Sequence, residues 1–448
     1  MFCPALAASL LLLARLDTEA WCKHAWRGGG FEEHYVFQDS QPRERPNRPR
    51  AGDVGCMRRP DYTESQRLAV TNSAISILHI LAPCHAGGLE SVVQTLAEGH
   101  HRRGHTVQVA AVVEPAPGEH PFVSPLRSAG VQVRVLELPA KAYFTERRLV
   151  RGIFQHLKPD VVHTHGYRPD VLHVGIARRC GFPVVTTLHG ASRTAGRSSI
   201  SEWLQLMSMR RFDAVVAVSQ RIAAQLQKQR VPADRVHLIP NAWNGVGPCL
   251  DRAGARRSLG IPGDATVVGW AGRLVHAKGA DVFIRAMAKL NDLGTTISIL
   301  GDGRELEATR NLTSSLQLDG RVIFHGTVQN ARDFLPAFDL LVLSSRTEGT
   351  PIVLFEAMAA GVPIVAAAVG GVPDVLRAKT DALLVAPDDP EALAAAIRSA
   401  LEDRTTAMTR AREARTHLGS HFSTEPWLDR YERLYRALIA SARASRQY

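Results

Sequence analysis

The sequence predicts an α/β protein built from two doubly wound, Rossmann-like domains that face each other, and three observations carry that reading. Short β-branched runs alternate with helical stretches from Ile75 onward, the alternation breaks at a Gly/Pro-containing link at 243–248, and it then starts again. A strand–helix alternation of this kind implies a parallel sheet covered on both faces. The chain has 448 residues, enough for two such units, and its 45% apolar and 22% charged residues suit sizeable cores. That composition excludes a disordered chain, a collagen-like chain and a disulfide miniprotein.

The elements follow in order. Residues 1–73 read as an unstructured extension: 5–14 is an apolar run of signal-peptide length, but no Lys or Arg precedes it and no A-x-A site follows. The stretch 41–59 is rich in Pro and Arg and has no periodicity. The first domain is assigned to 74–243. Residues 75–81 form a strand, Gly87-Gly88 turns the chain, and Leu89, Val92, Val93, Leu96 and Ala97 make a helical stripe. Further strands fall at 107–113, 131–138, 161–165, 184–189 and 214–219. The second domain is assigned to 244–424, with strands at 267–271, 296–300, 322–325, 340–343, 364–368 and 382–385. Helices fill the gaps, for example 280–293 and 391–402. The last segment, 425–448, holds an amphipathic helix at 426–442 with Trp427, Tyr431, Leu434, Tyr435 and Leu438 on one face.

Charge is unevenly spread. The chain carries +11, and residues 75–245 hold 20 Lys and Arg against 11 Asp and Glu, so this region contributes nearly all of the excess. A basic half beside a neutral half implies an acidic partner (anionic lipid, nucleic acid or a phosphorylated substrate) or else a solvated basic face. Nucleic acid is disfavoured, because the chain has no RNP-type segment and only 6% aromatic residues for base stacking. The six cysteines are scattered without a C-x-x-C, which suits a reducing cytoplasm. No run of 18 apolar residues occurs, which argues against a membrane-spanning helix.

In open parallel sheets ligands bind outside the carboxyl ends of the strands, so the loops there are the candidate sites. After 340–343 comes Ser344-Ser345-Arg346-Thr347-Glu348-Gly349-Thr350-Pro351, then an apolar helix. Thr350 reads as its cap and Pro351 as its first residue, which points free N–H groups into the crevice for phosphate or sugar oxygens. Glu348 lies in the loop and Glu356 about 1.5 turns into the helix, an acid among apolar neighbours that needs a partner. After 267–271, Arg273 and Lys278 can flank a diphosphate, Arg as a fork and Lys as a point charge. Gly301-Asp302-Gly303 closes the next strand as a turn. Gly87-Gly88 can form a backbone nest over a phosphate, but it is not G-x-G-x-x-G, which disfavours a dehydrogenase. His163, His165 and His189 lie at strand ends. Their spacing is not that of a standard metal site, and hydrogen bonding of one of them to a ligand in the cleft is the preferred use.

Nine segments, in order over about 370 residues, resemble the retaining GT-B glycosyltransferases of family 4, which use nucleotide sugars. They are AGGLESVVQTLAEGHHRRGH, DVVHTHG, VVTTLHG, VVAVSQ, IPNAWN, WAGRLVHAKG, ILGDG, FHGTV and the E-x7-E segment EGTPIVLFEAMAAGVPIVAAAVGGVPDV. The resemblance implies a GT-B fold whose last helix crosses back to the first domain. It also implies that Glu348 meets the donor sugar's hydroxyls, Glu356 the ribose, and Arg273 and Lys278 the diphosphate, with Gly87 and Gly88 facing it across the cleft. His189 would contact the sugar near the reaction centre. Backbone near Gly326 would face the base, Gly301 would belong to the donor-binding set, and the amides around Gly349 and Thr350 would reach the sugar and phosphate. IPNAWN departs from the commoner P-N-G-V-D, and Asp374 stands where Glu is commoner.

The expected function is metal-independent, retaining transfer of a sugar from a nucleoside-diphosphate sugar to a lipid-linked or polysaccharide acceptor in cell-envelope or exopolysaccharide synthesis. No D-x-D occurs in the chain to hold a divalent metal, so no metal or other cofactor is expected and the positive potential falls to Arg273, Lys278 and helix amides. The cytoplasm is the expected location, with the basic first domain able to rest on an anionic membrane surface. A sugar phosphorylase or a sugar-nucleotide hydrolase on the same fold is the alternative.

Overall fold

A computed structural model describes residues 73–84, 87–190, 204–205 and 207–446. The extension expected over 1–73 lies, Ser73 apart, outside the described residues.

The first half runs β1 (Ser76–Leu81), α1 (Gly88–Arg102), β2 (Thr106–Val113), α2 (Val123–Ser128), β3 (Gln132–Glu137), α3 (Tyr143–Leu157), β4 (Val161–His165), α4 (Tyr167–Arg179), β5 (Val184–Leu188), β6 (Ala214–Ala217), α5 (Gln220–Lys228) and β7 (Val236–Leu238). All its strands pair in parallel, in the order β3-β2-β1-β4-β5-β6-β7. The second half runs α6 (Arg252–Ser258), β8 (Val267–Ala271), α7 (Ala280–Ala288), β9 (Thr296–Leu300), α8 (Leu306–Ser315), β10 (Val322–Phe324), β11 (Leu340–Leu343), α9 (Ile352–Ala360), β12 (Ile364–Ala367), α10 (Val372–Val375), β13 (Leu383–Val385), α11 (Pro390–Glu402) and α12 (Arg404–His421). Its parallel order is β10-β9-β8-β11-β12-β13. Both sheets are therefore doubly wound, with apolar clusters on both faces as buried parallel strands require.

Local chemistry sets the helix ends. Asp251 and Asp389 cap α6 and α11 by accepting the Gly254 and Ala392 amides, and Pro390 opens α11. Gly361, at φ 69°, ends α9 in the left-handed conformation that a side chain resists.

The last helix, α13 (Thr424–Ala444), returns to the first half. Its Trp427, Leu428, Tyr431, Leu434, Tyr435 and Ile439 share one core cluster with Val92, Leu96, Val109 and Val161. Leu428 sits so close to Gly99 of α1 that a methyl group there would press into it at 2.5 Å. Arg103 forks onto α13, donating to Glu425 and, at 2.8 Å, to Asp429. The chain crosses between halves twice at one place: Trp243 N–H donates to Phe422 O at 2.8 Å, and the Thr424 hydroxyl to Trp243 O at 2.6 Å.

Some elements depart from the pattern. The helix expected over 280–293 ends at Ala288, and a 3-10 turn, Asn291–Leu293, follows. The expected strand at 382–385 is shorter, and α13 begins two residues earlier than its apolar face suggests. Helix α12 gave little periodic signal because it buries only Ala407, Ala411, Ala414 and Leu418.

Candidate functional site

Each sheet reverses its strand order once, between β1 and β4 and between β8 and β11. Loops leaving such neighbours diverge and leave a crevice at the carboxyl ends. Gly87-Gly88 follows β1 and His165 ends β4, while Gly272-Arg273 follows β8 and the loop 344–350 follows β11. The Gly87-Gly88 turn and the loops with Arg273, Lys278 and Glu348 thus belong to the two switch points.

Lys278 Nζ lies 2.6 Å from Glu348 Oε1, and the Ser345 hydroxyl donates to the same oxygen at 2.6 Å. Glu348 is nearly enclosed, its side chain 6% exposed, against 25% for Lys278. Arg346 turns the other way and grips Asp281 with both ends of its guanidinium, at 2.8 and 2.7 Å, so it anchors the loop. Arg273 is exposed and makes no ion pair among the described residues. Its charge reaches Cys84 of the first half, opposing the burial and the Glu90 carboxylate that raise that thiol's pKa.

Helix α9 starts one residue later than expected. Pro351 is its N-cap position, in an extended conformation, and Ile352 is the first helical residue. Thr350 is not the cap: its hydroxyl donates to the Val218 carbonyl of the first half at 2.6 Å. Glu356 consequently lies just over one turn into α9. Burial drives its pKa up to about 7; Arg332 pulls it down and Asp333 pushes it further up.

The two halves meet along this edge. A methyl group at Gly88 would lie 3.3 Å from Ile352 Cγ1, so the amino ends of α1 and α9 face each other. A methyl at Gly349 would overlap the His189 carbonyl oxygen, which leaves glycine as the residue that permits this backbone approach. Asp374 accepts the Gln220 amide of α5 at 2.8 Å, a contact that crosses the crevice. Glu90, in the first turn of α1, accepts the Cys84 amide at 2.7 Å. Gly301 and Gly326 pair with each other, the Gly301 amide donating to Gly326 O at 2.8 Å, and join the ends of β9 and β10.

The expected histidines separate into two environments. His189 lies just beyond β5 at the crevice, partly buried, with Gly349 against its carbonyl. His163 and His165 are fully buried within β4 rather than open to the cleft. They are joined by His79, a buried histidine among the apolar residues of β1. Burial holds all four below the usual histidine range, His79 at about 3 and His189 at about 4. Ligand nitrogens of His79, His163 and His165 lie within 4.8 Å of one another. The signal that could have exposed His79 is register: it is paired with His163 across β1 and β4.

Two facing doubly wound domains with a crossing-back terminal helix and a charged crevice at their switch points define the GT-B class of glycosyltransferase. The glycosyl transferases group 1 family model matches residues 251–417, and the Glycosyltransferase Family 4 model matches 86–244. The chain belongs to this family 4-type group of GT-B glycosyltransferases and is a glycosyltransferase enzyme. It is 30% identical to a D-inositol 3-phosphate glycosyltransferase of Catenulispora acidiphila over 63% of this chain and 73% of that one. An uncharacterised glycosyltransferase of Methanocaldococcus jannaschii is 28% identical over 72% of this chain and 87% of its own. Among solved structures, Anabaena HepE in complex with UDP and glucose aligns at TM-score 0.70 and 22% identity, over 81% of this chain and 100% of that one. Among the described residues no helix is long and apolar enough to cross a membrane.

Proposed function

We propose that the protein transfers a sugar from a nucleoside-diphosphate sugar, with retention and without a divalent metal, to a lipid-linked or polysaccharide acceptor. The observation that carries this reading is the Lys278–Glu348 pair beside the amino end of α9, at the switch point that also presents Arg273. Breaking the sugar–phosphate bond leaves negative charge on the departing diphosphate, and the transition state is stabilised by groups already aimed there. Arg273, Lys278 and the α9 amides supply positive potential without a metal, and Gly87-Gly88 adds amides from the other side.

Glu348, relieved of Lys278 when the diphosphate arrives, accepts hydroxyls of the sugar, and Glu356 accepts those of the ribose. Neither carboxylate is free to act as a nucleophile, so retention proceeds on one face with the leaving phosphate taking the acceptor's proton. Backbone at Gly301 and Gly326 borders the base. The solved Anabaena structures with UDP and UDP-glucose support a nucleotide-sugar donor, and relatives named for inositol phosphate, malate and lipopolysaccharide core transfer support a range of acceptors.

A thermal-shift panel of UDP-, GDP- and ADP-sugars, with and without EDTA, tests the donor part. One nucleotide should stabilise the protein by roughly 2.7 kcal/mol at a hundredfold excess over Kd, unchanged by EDTA and absent in Glu356→Ala. A shift abolished by EDTA removes metal independence, and no shift with any nucleotide removes the donor site. Release of labelled sugar to water or phosphate alone, across an acceptor panel, favours the hydrolase or phosphorylase.

The basic first half supports a peripheral membrane position at the cytoplasmic face. On α3, Phe144 is 66% and Leu149 40% exposed, with Arg148 and Arg151 exposed beside them. Apolar and cationic side chains together suit an anionic lipid surface. Vesicles containing phosphatidylglycerol should sediment the protein at low salt and release it at high salt, whereas Phe144→Ser with Arg148→Glu should remain in the supernatant. Equal sedimentation of both proteins removes this helix from the proposal.

A further inference from the structure

A row of imidazoles runs from the core of β1 to the crevice. His79 Nδ1 lies 3.0 Å from His165 Nε2, and His165 Nδ1 lies 3.3 Å from His189 Nε2. At the two ends of the row, His79 Nε2 and His189 Nδ1 are buried atoms without a hydrogen-bond partner among the described residues. His163 stands beside the row, its ring centroid 4.0 Å from that of His165, but its own nitrogens are engaged elsewhere. Nδ1 meets the Tyr435 hydroxyl at 2.7 Å and Nε2 the Thr187 hydroxyl at 2.8 Å, and Thr187 in turn meets Tyr431 at 3.1 Å.

We propose that His165 and His79 are positioning residues that fix the tautomer of His189, so that its ring offers Nδ1–H as a hydrogen-bond donor to the donor sugar. This inference rests on the reading above that His189 faces that sugar.

The argument is one of proton counting. A neutral imidazole has one N–H and one bare nitrogen, so in a hydrogen-bonded row of three the tautomers are coupled and only two arrangements satisfy both internal bonds. In one, every ring donates towards the core, which leaves His79 Nε2–H buried with no acceptor. In the other, every ring donates towards the crevice, which leaves His79 Nε2 as a bare lone pair and His189 Nδ1 protonated. Each arrangement leaves one N–H without an acceptor among the described residues. His79 is 0% exposed in the core of β1, whereas His189 is only partly buried and stands at the crevice, where a ligand oxygen can accept, so the second arrangement prevails. Burial keeps the rings neutral near pH 7, as the counting requires.

The consequence is chemical. A neutral N–H can bind a sugar hydroxyl oxygen and hold the ring in place without setting a further positive charge beside a sugar that itself becomes positive. The cluster could alternatively be taken for a metal centre, since three of its nitrogens converge. That use would cost His163 one of its two existing hydrogen bonds.

The test uses the full chain labelled with 15N-histidine. Long-range 1H–15N correlation reads which ring nitrogen carries the proton, and His189→Phe identifies the His189 signals. The expected result is the Nδ1–H form at His189 in the free protein at pH 7.5. His165→Phe should release His189 to the Nε2–H form that free imidazole prefers. It should also lower kcat for hydrolysis of UDP-glucose, UDP-N-acetylglucosamine or GDP-mannose, whichever is turned over, by about 10- to 100-fold, with UDP or GDP affinity unchanged. His165→Asn, whose amide can replace Nδ1–H towards His189, should restore the tautomer and most of the rate.

An Nε2–H form at His189 in the unaltered protein overturns the proposal. So does an unchanged His189 tautomer in His165→Phe, or one zinc per chain that disappears in His165→Phe. If His189→Phe turns over the donor as well as the unaltered protein does, the donor-sugar reading of His189 fails, while the tautomer measurement still decides the row.

Discussion

Glu356→Gln should make the free protein more stable at pH 8 and unable to recognise its nucleotide. The folded pKa of Glu356 is about 7 because burial penalises its charge, against about 4.5 for the group in water. A carboxyl whose pKa rises on folding favours the folded state fully at pH values below its unfolded pKa. That advantage is lost as pH climbs through the folded value. Between pH 4.5 and 7 the unfolded chain ionises Glu356 while the native protein keeps it protonated, so stability falls progressively, by about 3 kcal/mol at pH 8. Glutamine removes that cost. Melting curves of the two proteins should coincide near pH 4.5 and separate by several degrees at pH 8, with the variant higher. On the proposal that Glu356 accepts the ribose hydroxyls, the same variant should also lose the thermal shift given by the nucleotide. A variant that is less stable at pH 8 would show that Glu356 has a partner in the free protein and is not held in readiness for a ligand.

The second large effect belongs to Lys278. Lys278→Met strands Glu348, whose side chain is 6% exposed, with the Ser345 hydroxyl as its remaining side-chain donor among the described residues. Removing one member of an enclosed ion pair costs about 3–5 kcal/mol, and the partial exposure of Lys278 places this case at the lower end. If Lys278 holds the diphosphate as proposed, its loss should also cut kcat by about 10²–10³. The double variant Lys278→Met, Glu348→Gln separates the two losses. Urea unfolding should recover most of the stability, because no unpaired charge remains, while turnover stays as low as in the single variant or lower. Recovery of turnover along with stability would mean that the pair serves the loop's fold alone.

Much of this was legible in the sequence, for identifiable reasons. A parallel strand buried on both faces reads as a short β-branched run, so 161–165, 267–271 and 340–343 emerged with their bounds nearly intact. Arg273, Lys278, Glu348 and Gly349 could be singled out because they follow such runs directly. Contacts between distant segments could not be read. Lys278 and Glu348 are seventy positions apart, with β9, β10 and β11 between them. Thr350 has the local grammar of a helix cap, yet its hydroxyl is taken by the Val218 carbonyl of the other half, a partner no local rule supplies. His79 was hidden by its neighbours: one polar residue inside an apolar strand signals nothing until the register beside β4 is known.

The return of α13 also sets a timetable for synthesis. Tyr431 and Tyr435 complete the core that contains Val92, Leu96 and Val161, but they are translated about 190 residues after the first half ends. At roughly 5–20 residues per second, ribosomes leave that core open for on the order of 10–40 s. During this interval the nascent first half exposes the groove on α1 around Gly99 that Leu428 later fills. A chaperone that holds apolar surface has its natural opening in that interval, and release of the finished enzyme waits on a helix encoded far from the fold it closes.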